Sequence, residues 1–177
     1  RARMKLMSQV AAALAPVIAI PKNGLKSARN QFISKNFDSC IATDGVAQVT
    51  YENLQLTSGN IGFPSITATR AAQTGVISVN LSSTPSGDIA RVVYIMYRKT
   101  QGQMEYVASR IVREKGENNN FPATFPASSG DVILYAYGMK DSNAQATAKY
   151  ENYNVASASD LATLVSSRAI AFGDFTF

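Results

Sequence analysis

The side chains best able to do chemistry in this sequence are the basic ones near its start. Residues 1–37 carry seven of them and no acid: Arg1, Arg3, Lys5, Lys22, Lys26, Arg29 and Lys35. The rest of the chain carries ten bases and twelve acids. Concentrated positive charge attracts polyanions, so these seven residues predict contact with nucleic acid or with another protein subunit. The alternative is that they only keep the polar face of a helix in solution.

Other chemistry is limited by composition. The 177 residues include no His and one Cys, which excludes imidazole catalysis, His-based metal sites and an intrachain disulfide. Cys40 has no base beside it, and such a thiol is typically buried and inert. Phosphate-binding and nucleophile-elbow motifs are missing. Acids that could pair for glycoside hydrolysis are expected to be solvated instead: Glu105, Glu114, Glu117 and Glu151. We expect no enzyme, metal, cofactor or small-molecule ligand.

A first helix is expected to position the earliest bases. Leu6, Val10 and Leu14 recur at helical spacing and predict a helix over residues 3–15. The apolar run over residues 10–20 is about a dozen residues long, and a membrane-spanning helix needs about 20. The sequence therefore predicts no membrane span.

A second helix is expected over residues 24–37, with Asn23 as its cap. Lys22, Lys26 and Arg29 would then share one stripe of its surface. The two helices could form an antiparallel hairpin or an extended arm, and the spacing does not decide between them.

The pattern after Gly45 is typical of strands. Residues 77–81 alternate between apolar and polar, whereas residues 92–97 and 132–139 are apolar on both faces, as in a sheet covered on both sides. Residues 100–102 suit a hairpin turn, and the prolines of residues 121–126 suit an edge strand. At least seven short strands favour a mainly β fold, an antiparallel β-sandwich of immunoglobulin or fibronectin-III type. We expect a basic helical arm over residues 1–40 and the sandwich over residues 41–177.

The end of the chain predicts an apolar strand. Its apolar residues are Ile170, Phe172, Phe175 and Phe177. An exposed apolar strand would aggregate, so it must pair within this domain or with a neighbouring subunit. We therefore include these four residues as a candidate assembly strand.

Two stretches carry a resemblance to a known family. They are the basic helical opening, from Arg3-Met4-Lys5 to Asn30-Gln31-Phe32, and the segment from Phe125-Pro126 through Gly130-Asp131 to Asp141-Ser142-Asn143. The chain resembles an uncharacterised domain-of-unknown-function family of Bacteroidota and phage-associated proteins. That resemblance implies a small β-sandwich with a basic helical leader, in a viral or cell-surface context, and carries no catalytic residues.

These observations favour a non-enzymatic structural or assembly protein of a phage virion, whose partners are copies of itself or other structural subunits. Nucleic acid is the alternative partner of the arm, in a DNA-binding accessory protein. A second alternative is a cell-surface module that binds its ligand through loops or strand tyrosines, and a bacterial surface or the cytoplasm is then the alternative location. The tyrosines concerned are Tyr94, Tyr97, Tyr106, Tyr135, Tyr137, Tyr150 and Tyr153, and their simpler role is cross-strand packing.

Overall fold

The computed structural model describes residues 1–20, 26–59, 61–85, 89–99, 106–116, 118–126, 132–140 and 169–170. The two α-helices are α1 (Ala2–Leu14) and α2 (Ala28–Asn36). The strands are β1 (Cys40–Thr43), β2 (Val46–Val49), β3 (Ile66–Arg70), β4 (Ile77–Leu81), β5 (Ile89–Lys99), β6 (Tyr106–Glu114), β7 (Ala123–Phe125), β8 (Val132–Lys140) and β9 (Ala169–Ile170). The described chain is therefore mainly β, with helices near its start.

The strands form three antiparallel sheets. One is the hairpin β1-β2, the second has the order β3-β4-β7, and the third has the order β6-β5-β8-β9. The longest pairings join β5 to β6 and β8, as the two-faced apolar pattern of residues 92–97 and 132–139 predicts for central strands.

Each face of the four-stranded sheet is covered by a different layer. Val93 and Tyr97 of β5 lie in one buried cluster with α1, while Val92 and Tyr94 lie in a second cluster with β3, β4 and β7. Side chains of β8 divide between the two clusters in the same way. The described fold therefore has three layers: helices, the four-stranded sheet, and the three-stranded sheet.

The predicted helical arm needs correction, because its helices belong to the core. Met7, Val10 and Leu14 are almost completely buried and share a cluster with Val93 and Tyr97 of the central sheet. The α1 helix thus packs on the sheet and does not extend away from it. The immunoglobulin or fibronectin-III type of sandwich is not confirmed, since a third sheet and a helical layer are present.

The second helix begins later than predicted. Its first residue is Ala28, and the Ser27 hydroxyl caps it by accepting a hydrogen bond from the backbone N–H of Asn30 at 3.2 Å. The expected cap, Asn23, lies outside the described residues. Lys26 precedes the helix, so the predicted stripe shared by Lys26 and Arg29 is wrong.

Local strand predictions fare better. The alternation in residues 77–81 is confirmed, because Ile77, Val79 and Leu81 are buried. The edge strand is also confirmed: β7 lies at one side of the three-stranded sheet, between Pro122 and Pro126. Strands β5 and β6 pair as expected, although the turn over residues 100–102 lies outside the described residues.

Candidate interaction surface

The outward side of α1 carries two of the predicted contact residues. Its inward side is fixed by burial of residues such as Met7 and Leu14. Arg1 and Lys5, one turn apart, are exposed on the other side, and Met4 beside them is 51% exposed. The cationic side chains of this helix therefore reach solvent, where they can contact a partner.

Arg3 lies on the same helix but has a structural role. One of its terminal nitrogens donates to the backbone carbonyl of Phe37 at 2.7 Å and lies 3.7 Å from an Asp38 carboxylate oxygen. The guanidinium carbon is 4.2 Å from the centre of the Phe37 ring, within range of a cation–π contact. Arg3 therefore joins α1 to the segment after α2, a structural role that its charge alone does not predict.

The remaining predicted bases are placed unequally. Lys26, Arg29 and Lys35 are exposed. Arg29 donates to the backbone carbonyl of Ser8 at 3.3 Å and so links the two helices. Lys22 lies outside the described residues.

A hairpin beside α1 exposes two aliphatic side chains that sequence reasoning missed. Ile41 of β1 is 61% exposed and Val46 of β2 is 62% exposed. The register pairs Thr43 with Val46, which places Val46 on the same outward face as Ile41. Asp44 and Gly45 both have positive φ, as a two-residue hairpin turn requires. That Asp-Gly pair, flanked by short apolar segments, was the available signal for the hairpin.

The inward face of the hairpin attaches it to α1. Cys40 is fully buried, and its thiol lies 3.9 Å from the backbone carbonyl of Arg3, at the limit of a weak hydrogen bond. Ile41 follows Cys40 in β1 and so lies on the opposite face of the strand, which means that Ile41 and Val46 are exposed on the side of the hairpin that does not pack against α1.

The candidate assembly strand is described only in part. Ala169 and Ile170 pair with Ile133 and Val132, so this segment joins the sheet of its own chain. Phe172, Phe175 and Phe177 lie outside the described residues.

The four strand tyrosines whose side chains the structure describes do not form an open ligand-binding face. Tyr94, Tyr97, Tyr135 and Tyr137 are at most 1% exposed. The Tyr94 hydroxyl donates to the backbone carbonyl of Phe121 at 2.7 Å. Burial raises the pKa of Tyr94 well above its usual value, although the charge of Arg113 opposes the shift. These four side chains are packing residues; Tyr106, Tyr150 and Tyr153 lie outside the side chains described.

Of the acids considered for glycoside hydrolysis, Glu114 is described, whereas Glu105, Glu117 and Glu151 lie outside the described residues. Glu114 pairs with Arg91 at 2.5 Å, which ties β6 to β5. Among the described residues, no group of three or more Cys, Asp or Glu side chains could hold a metal ion. None of the described helices is long and apolar enough to cross a membrane.

Comparison with known proteins adds no relative. No family model matches the chain, and no curated protein and no solved structure is significantly similar to it. The resemblance to the Bacteroidota and phage-associated family therefore stays a prediction from the sequence.

Proposed function

We propose that this protein is a non-enzymatic structural subunit that joins a larger assembly through the outer surface of its helical layer. The observation that carries the proposal is the exposure of Arg1, Lys5, Lys26 and Lys35 on that layer. Their side chains make no hydrogen bond or ion pair within the described structure. Since the fold does not use their charge, it is available to a neighbour.

The partner can be another copy or a different subunit. Residues 1–37 carry +7, whereas the rest of the chain carries a small negative charge. Contact between unlike surfaces of two copies is therefore favoured over contact between two basic layers, and such head-to-tail contacts build rings or filaments. A phage virion is the setting that we propose, on the basis of the family resemblance.

The same exposed bases support a second candidate function, nucleic-acid binding. That function predicts an affinity that falls steeply with salt, because bound phosphates release counterions. Binding of a 20-base-pair DNA duplex, measured at two salt concentrations, distinguishes it from protein assembly.

Sedimentation of the full chain tests the structural role. We expect a mass above the 19.0 kDa of one chain, rising with protein concentration and falling at high salt. The double variant Lys5→Gln, Lys35→Gln should weaken association several-fold. A matched control, Thr69→Glu with Thr124→Glu, gives the same net charge on the other side of the molecule and should retain association. A monomer at every concentration, or equal loss in both variants, would contradict the proposal.

A further inference from the structure

We propose that the free edge of β3 binds an extended, uncharged segment of a partner protein as an additional strand. β3 (Ile66–Arg70) is the outer strand of the three-stranded sheet and, among the described strands, pairs with β4 alone. The proposal concerns the edge of this sheet, whereas the proposed assembly role concerns the outer surface of the helical layer. The two proposals can therefore be tested separately.

The register of the β3–β4 pair shows which backbone groups of β3 point away from β4. The N–H of Ser82 donates to the carbonyl of Ser65 at 2.8 Å, in line with the register of the strands. Hydrogen-bonded and non-hydrogen-bonded pairs alternate along antiparallel strands, so the odd-numbered residues of β3 bond to β4. The N–H and carbonyl groups of Ile66 and Ala68 therefore point to the open side of the sheet.

These outward groups are available for a further strand. Within the part of the chain that the structure describes, the backbones of Ile66 and Ala68 make no hydrogen bond outside the β3–β4 pair. The side chains of Thr67 and Thr69 in the same strand are exposed. Unpaired N–H and carbonyl groups along a strand are a template for pairing with another chain.

The β6 and β7 edges carry features that discourage strand addition, and the middle of β3 does not. β7, at the opposite edge of the same sheet, is three residues long and lies between two prolines. β6, at an edge of the four-stranded sheet, exposes Arg110 and Arg113. Short strands, prolines and charged side chains are the usual protection of a sheet edge. Residues 66–69 of β3 include no proline and no charge.

The chemistry of this edge selects an extended polypeptide without charge. A β-strand offers alternating N–H and carbonyl groups that match those of β3. On the inner face, Ala68 is small and only partly buried against the cluster between the two sheets, so an apolar side chain opposite it would extend that cluster. On the outer face, Thr67 and Thr69 favour Thr in the partner, because cross-strand Thr pairs can hydrogen-bond. The expected occupant is therefore a segment in which Val and Thr alternate.

A second copy of β3 fits this edge less well. Antiparallel pairing about a two-fold axis at Ala68 would place Arg70 of one copy opposite the buried Ile66 of the other. Moving the axis towards the start of β3 brings in Pro64, which has no N–H to donate. Moving it towards the end brings in the turn that follows Ala71. These registers favour a segment of a different protein.

Fluorescence anisotropy with the full chain tests this proposal. The probe is a labelled seven-residue peptide in which Thr and Val alternate. The comparison peptide has the same sequence with N-methylated Val residues, because the Val N–H groups would face β3. We expect the unmodified peptide to bind at least ten-fold more tightly than the methylated one. The variant Ala68→Pro removes one outward N–H and should weaken binding of the unmodified peptide at least ten-fold.

The matched control is Thr124→Pro. By the same alternation, the N–H of Thr124 points outward from the β7 edge, so this variant should leave peptide binding unchanged. Circular dichroism shows whether both variants keep the strand content of the wild type. If Ala68→Pro did not fold, the two peptides would still test the proposal with the unchanged chain.

Three results would contradict the proposal: equal binding of the two peptides, no binding of either, or equal loss of binding in both folded proline variants. If the peptide did not bind but Ala68→Pro lowered the sedimented mass of the chain, β3 would pair with a second copy and the assignment to a different protein would be wrong.

Discussion

The two layers that cover the central sheet differ in the surfaces they present to solvent. The three-stranded sheet points uncharged hydroxyl and amide side chains outward: Thr67, Thr69, Ser78, Asn80 and Thr124. Two of these side chains, Thr67 and Asn80, are hydrogen-bonded to each other. The helical layer instead exposes the bases Arg1, Lys5, Lys26 and Lys35, and it also exposes Met4.

This difference separates the residues that the fold requires from the residues that it does not require. Both layers must bury an apolar inner face against the same sheet, and both do. Packing leaves the outer faces free to vary. Unpaired lysines and exposed aliphatic side chains add nothing to that packing, so the helical layer is the side on which a partner is expected.

The largest expected effect tests whether the two layers are equally integral to the fold. Leu14 of α1 is completely buried and Leu81 of β4 is 1% exposed. Truncating a buried Leu to Ala removes apolar contacts and leaves a cavity, so Leu14→Ala and Leu81→Ala should each cost about 2–5 kcal/mol of unfolding free energy. Urea denaturation followed by circular dichroism measures both.

The control for this pair is Met4→Ala, which changes an exposed residue on α1 and should alter stability by less than about 0.5 kcal/mol. If Leu14→Ala lowered the unfolding free energy only slightly while Leu81→Ala lowered it by the expected amount, α1 would be a peripheral arm and not part of the core.

A smaller effect is expected where the central sheet meets its sheet-side layer. A Cβ atom on Gly138 would lie 2.6 Å from Phe63 Cε2 and 3.0 Å from Ile89 Cδ1. Gly138→Ala therefore forces the Phe63 ring to move and should destabilise the fold by about 1–3 kcal/mol. Gly116→Ala is the matched control. It should be nearly neutral, because a Cβ atom on Gly116 would have no other side chain or distant backbone atom within 4 Å. Thermal unfolding of both variants measures the difference, and equal stability of the two would show that Phe63 moves without cost.

The sequence predicted the central strands well but not the layers around them. Apolar residues on both faces of residues 92–97 and 132–139 indicate that both faces are covered. They do not say what covers them, because a helix and a sheet bury the same kind of side chain. Helical spacing in α1 likewise gave the helix, while its docking on Val93 and Tyr97 depends on contacts far apart in sequence.

Of the candidate interaction surface, only the positive charge could be predicted from the sequence. The exposed lysines follow from composition, but Arg3 looked equivalent to them until its contacts with Phe37 and Asp38 were known. Alternation along a hairpin shows that one face is buried without showing which. Here Cys40 is buried, while the larger Ile41 and Val46 are exposed, against the usual preference.

The smallest effect compares one buried hydroxyl on each side of the central sheet. Tyr94 donates to the Phe121 carbonyl in a buried setting, and Tyr135 donates to the Tyr51 carbonyl at 2.8 Å in a partly buried one. Phe121 has a φ of 50°, an uncommon conformation for a bulky residue. Tyr94→Phe leaves the buried carbonyl without this donor and should cost about 1–2 kcal/mol, whereas Tyr135→Phe should cost about 0.5–1 kcal/mol.

The loss of stability in Tyr94→Phe should depend on pH, and this dependence tests whether Tyr94 is buried in its protonated form. In the folded protein the pKa of Tyr94 is raised by burial, whereas in the unfolded chain Tyr ionises near pH 10. The folded state therefore retains a proton that the unfolded state loses, so the contribution of Tyr94 is complete below pH 10 and declines above it. Urea unfolding at pH 8 and pH 11 should show the wild type losing part of its advantage over Tyr94→Phe at the higher pH. A constant difference would mean that Tyr94 ionises equally in both states, which its buried position opposes.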